Sequence, residues 1–132
     1  MSDAELSALT VASANLLYMS ETDEPFQAFT WTGTTGLLTK SQLLALTETP
    51  AGTPVEEVSL DEFFGTLTTD QTWFQDDEKQ IATHYRALRA TLESDLTDLK
   101  VFRVGVVNIT IYIVGKAKNG DYVGVQTKAV EI

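Results

Sequence analysis

The amino-acid sequence predicts an α+β fold, and three observations carry that expectation. Apolar residues recur at three- and four-residue spacing in several segments before residue 97, whereas the last third is β-branched and alternating. Between the two β-rich stretches lies Asn119-Gly120, a pair suited to a tight hairpin turn, so the sheet should be mostly antiparallel.

Residues 4 to 17 place Leu6, Leu9, Ala12, Ala14, Leu16 and Leu17 near helical spacing, with Ser2 and Asp3 positioned to cap the start. The segment "SETDEP" then reads as a helix-to-strand connector. "FQAFTW" reads as a strand that sets Phe26, Ala28 and Thr30 on one face against Gln27, Phe29 and Trp31 on the other. Gly33 and Gly36 interrupt it. "TKSQLLALTE" predicts a short helix closed off by Pro50, Gly52 and Pro54. Ser59 and Glu62 have capping-box spacing, so another short helix should start there and turn Phe63, Phe64 and Leu67 inward. "TTDQTWF" follows as a loop with an exposed Trp73. The longest helix runs from about Asp76 to Leu96 on the stripe Ile81, Tyr85, Leu88, Leu92 and Leu96, its first turn carrying Asp76, Asp77 and Glu78 against the helix dipole. "VFRVGVVNITIYIVG" and "YVGVQTKAVEI" supply the strands of the sheet.

At 132 residues, 43% of them hydrophobic, the chain can bury a core unaided, and a single domain over 1–132 is expected. The absence of cysteine excludes thiolate catalysis, thiolate zinc sites and disulfides together. A net charge of −10 opposes binding to a phosphate backbone and favours encounter with a basic protein. No apolar run approaches a membrane span and the N-terminus has acids where a secretory signal has bases, so a soluble, cytoplasmic protein is expected.

The residues assemble no active site. His84, the one histidine, sits within the long helix with no nucleophile arrangement around it and is expected on the helix surface. "GTTG" and "GKAKNG" lack the spacing of a phosphate-binding loop. Glu21, Asp23 and Glu24 lack the alternating oxygen ligands of a calcium loop. The sequon at Asn108 falls within a strand. An acidic α+β domain without catalytic machinery points to a binding or inhibitory protein rather than an enzyme.

The segments "LLYMSETDEPFQAFTW", "VSLDEFF" followed by "TTDQTWFQDDE", then "VFRVG", "IYIVG" and "GVQTKAVEI" resemble, in that order and over nearly the whole chain, the bacterial nuclease A inhibitor family. The resemblance implies a three-layer α/β/α sandwich that blocks a sugar-nonspecific ββα-metal endonuclease, an enzyme that cuts DNA and RNA with a divalent ion, usually magnesium. In the family a glutamate after the first helix meets an active-site arginine, a tryptophan in the "TW" loop packs at the interface, and the last residue reaches the nuclease's metal. The matching positions are Glu21, Trp73 and Ile132, with Thr72 beside the tryptophan.

Glu21 would then act as a phosphate mimic. The inhibitor would be a monomer on its own, with no cofactor of its own, no direct contact with nucleic acid, and a bridging magnesium only in the complex. A better-known member ends in threonine and has an acid before the tryptophan, where this chain has Ile132 and Thr72. The alternative is a module of the same fold that binds a different protein.

Overall fold

The structure, a computed structural model, describes residues 3–13, 17–19, 23–31, 39–50, 52–68, 76–118 and 120–130. In chain order these form α1 (Asp3–Ser13), β1 (Leu17–Met19), β2 (Asp23–Pro25), β3 (Gln27–Trp31), α2 (Lys40–Leu46), β4 (Val55–Val58), α3 (Leu60–Thr68), α4 (Asp76–Asp95), β5 (Thr97–Val104), β6 (Asn108–Lys116) and β7 (Tyr122–Val130).

Five strands form one antiparallel sheet in the order β3-β7-β6-β5-β4. Strand alternation sends side chains to two faces, and each face builds its own core. Val101, Ile109, Ile111, Ile113, Val123 and Val125 pack against Leu9 of α1, Phe63 and Phe64 of α3, and Tyr85, Leu88 and Leu92 of α4. The opposite face sets Phe102, Val104, Tyr112, Val114 and Tyr122 against Leu43 and Leu44 of α2, with Phe29 and Trp31 at the margin. Helices on both faces of a mostly antiparallel sheet make this α+β fold the three-layer α/β/α sandwich that the resemblance implied.

The helix starts follow local chemistry. The Thr39 hydroxyl accepts the Gln42 N–H at 3.1 Å, and the Ser59 hydroxyl accepts the Glu62 N–H at 3.0 Å, each satisfying a donor left over at a helix N-terminus. On α4 the residues Tyr85, Leu88, Leu92 and Leu96 of the expected stripe are buried, the Ile81 side chain lies outside the described residues, and His84 is exposed on the helix flank.

Four features depart from the sequence reading. α1 is described as far as Ser13, whose hydroxyl donates to the Leu9 carbonyl at 2.7 Å. Leu17, expected on that helix, lies in a strand instead. "SETDEP" is correspondingly no simple connector, because β1 and β2 pair antiparallel with Leu17 opposite Pro25 and Met19 opposite Asp23. β4 went unforeseen: its two glutamates conceal the strand pattern, and they suit an edge, where exposed charge blocks further pairing. The run read as continuous from Val101 breaks at 105–107 into β5 and β6.

Gly105 makes that break possible. Its φ is +110°, its N–H donates to the Pro54 carbonyl at 2.9 Å, and a Cβ there would sit 2.3 Å from the Asn108 carbonyl oxygen. Gly105→Ala is therefore expected to lower unfolding free energy by about 1–3 kcal/mol, checked by urea denaturation; wild-type stability would show that the turn relaxes without strain.

Candidate partner-binding surface

The two ends of the sheet differ in what they hold. Thr97, Lys116 and Tyr122 lie level at one end, while Asn108 and Val130 pair at the other, just past the Val104–Thr110 pair. The first end carries Thr97, Asp98, Lys116, Lys118 and Asp121 beside the buried Tyr122. The second carries the sequence-predicted residues' nearest described neighbours.

Glu21, Thr72, Trp73 and Ile132 themselves lie outside the described residues, as does Asn119. The described positions on either side of them can nevertheless be followed. The Thr127 hydroxyl donates to the carbonyls of Pro25 at 3.1 Å and Glu24 at 3.3 Å, which holds β2 along the last part of β7. β7 runs on from Thr127 to Val130 at the second end. Met19 and Asp23, the paired residues that flank 20–22, belong to the small hairpin held there.

The helices lead to the same end. α4 passes into β5 through Leu96 alone, so it runs from the second end toward the first. Tyr85 packs edge-on to Phe26 with ring centroids 5.9 Å apart. Asp76 lies nine residues earlier, about 14 Å back along the helix axis from Tyr85 at 1.5 Å per residue and away from the Leu96 end. α3 runs antiparallel to α4: Asp61 in its first turn pairs with Arg89, whereas Phe64 stacks edge-on with Tyr85 at 6.4 Å. Thr68 therefore points the same way as Asp76, and these two flank 69–75. Val130, which precedes the final two residues, is already at that end.

On the α2 face the polarity changes along each strand. β6 reads Asn108 and Thr110, then Tyr112 and Val114; β7 reads Tyr122, then Gln126 and Lys128. The apolar half lies under α2. Burial there holds the Tyr112 phenol above its ordinary pKa, despite the opposing hydrogen bond with Thr47, so the ring stays neutral.

The polar half borders a groove of about 520 Å³ lined by Glu24, Gln27, Thr110, Gln126 and Lys128 among others, continued by one of about 400 Å³ that reaches Asn108 and Val130. Sequence reasoning missed this surface, although the switch from Asn108 and Thr110 to Tyr112 and Val114 at alternate positions carries its signal.

It also missed Val106 and Val107, which stand 68% and 47% exposed between β5 and β6. Among the described residues no three or more histidines or acids gather as a metal site, and no helix is long and apolar enough to cross a membrane. Asn108 is exposed at the first position of β6.

The family model for nuclease A inhibitor-like proteins matches residues 4–132. Comparison with curated proteins found no match.

Proposed function

The chain belongs to the nuclease A inhibitor-like family, and from that premise we propose that it binds and occludes the active site of a sugar-nonspecific ββα-metal endonuclease. The observation that carries the reading is the common location of the described residues flanking 20–22, 69–75 and 131–132. The described residues that bound these segments, far apart in sequence, lie toward one end of the sheet, which supports a single contact surface.

Glu21 offers a carboxylate to an arginine that otherwise grips the scissile phosphate. Charge-assisted hydrogen bonds to that guanidinium reproduce the anion without a bond to cleave. Trp73, with Thr72 beside it, supplies aromatic area of the kind that anchors interfaces. The Ile132 carboxylate offers oxygen to the nuclease's magnesium, a hard ion that keeps exchangeable water positions. The net charge of −10 speeds encounter with the basic cleft. The inhibitor acts as a monomer in the cytoplasm, turns nothing over and holds no cofactor of its own.

Titration of a purified ββα-metal nuclease in a plasmid-cutting assay tests this. Activity should fall to a one-to-one end point, and undiminished cutting at excess protein would reject the reading. Amidating the C-terminus should weaken binding in calorimetry with magnesium and much less without it, because a neutral amide is a poorer ligand for the ion. Equal affinities in both conditions would remove Ile132 from the metal. Ile132 and Thr72 also favour a second reading, a module of this fold bound to a different protein, which retained activity in the plasmid assay would support.

A further inference from the structure

We propose that the β5–β6 hairpin tip, Val106 and Val107, is an apolar foot on which the same nuclease rests beside the C-terminal strand. The inference depends on the inhibitor reading above and adds a contact that the charged and aromatic residues do not supply.

The composition of this turn is the first observation. Tight connections favour Gly, Asn, Asp, Ser and Pro, because such residues adopt turn geometry and are solvated at little cost. Here two adjacent valines stand 68% and 47% exposed, and together with Val11 on α1 they are the large hydrophobic side chains left exposed among the described residues. Neither belongs to the core of either sheet face. Folding gains nothing from leaving them in water.

The second observation is rigidity. Val104 pairs with Thr110 before the tip and Asn108 pairs with Val130 after it. The Gly105 N–H is held by the Pro54 carbonyl at 2.9 Å, and the φ of +110° at Gly105 admits little but glycine. A tip fixed in this way presents its side chains without the ordering cost that a loose loop meets on binding.

The third observation selects the occupant. Val107 adjoins Asn108, which lies directly opposite Val130, and Val130 is two residues from Ile132. Neighbouring strands are about 4.8 Å apart. A protein that meets the end of β7 at Val130 therefore comes immediately beside the valines. Burying an apolar rim next to charged contacts excludes water and strengthens them.

The experiment compares the inhibition constant of wild-type protein with those of Val106→Ser/Val107→Ser, Val106→Ile/Val107→Ile and Glu21→Gln, together with the thermal midpoint of each. The serine variant should inhibit roughly tenfold or more weakly at an unchanged or raised midpoint, while the isoleucine variant should inhibit at least as well as wild type. Undiminished inhibition by the serine variant, with Glu21→Gln impaired, would overturn the hairpin contact and leave the inhibitor reading standing. Failure of the wild-type protein to inhibit would overturn both. Sedimentation supplies the remaining check: a wild-type dimer that the serine variant abolishes would assign the valines to a second copy and overturn the proposal.

Discussion

Glu21→Gln is expected to raise the inhibition constant by a factor on the order of 30 to several thousand while leaving the fold unchanged, the equivalent of about 2–5 kcal/mol. The amide keeps the size of the carboxylate and removes its charge. Much of the loss comes from the nuclease, whose arginine is left desolvated without an anion. The position suits the test because residues 20–22 join the paired strands β1 and β2, with Met19 opposite Asp23. Thermal midpoints should agree within a degree or two. Part of the weakening should appear in the association rate and shrink as salt rises, since screening acts on the steering field. Equal inhibition constants for the two proteins would remove Glu21 from the contact.

The fold was legible wherever one local rule dominated. The stripe from Tyr85 to Leu96, the cap at Ser59 and the two-faced strand at Phe26 to Trp31 follow from spacing alone, and each is realised. The reading failed where pairing between distant segments overrode local preference. Leu17 continues a helical period yet sits opposite Pro25, because the short β1–β2 hairpin is held against β7 through Thr127. Val55 to Val58 shows two acids in the middle of four residues, and only the partner strand β5 identifies it as an edge.

The candidate surface was legible in another way. Glu21, Thr72, Trp73 and Ile132 came from resemblance, since a lone acid or tryptophan has no period to reveal it. The polar half of the α2 face was present in the alternation of β6 and β7, but its meaning depended on knowing which half α2 covers. Val106 and Val107 looked like strand interior because valine is a strand former; only the backbone at Gly105 shows that they occupy a tip.

Phe64→Ala should cost about 3–5 kcal/mol of unfolding free energy, the range for deleting a buried aromatic ring and leaving a cavity. Phe64 is fully buried, meets Phe63 edge-on at 5.0 Å and Tyr85 at 6.4 Å, and lies 6.0 Å beneath the Arg89 guanidinium. Beside it the Arg89 pair with Asp61 joins the same two helices, but the Asp61 side chain is 84% exposed, and solvated pairs contribute only about 0–1 kcal/mol. Asp61→Asn should therefore leave the urea midpoint nearly unchanged while Phe64→Ala shifts it strongly. The reverse order would mean that charge rather than packing sets the joint. The joint bears on binding because α3 and α4 hold the two ends of 69–75, the segment with Thr72 and Trp73. At a temperature where the Phe64→Ala protein is still folded by circular dichroism, its inhibition constant should rise, since a loosened α3–α4 contact no longer fixes the separation of Thr68 and Asp76. Full inhibitory strength in that folded variant would separate the stability of the joint from the presentation of Trp73.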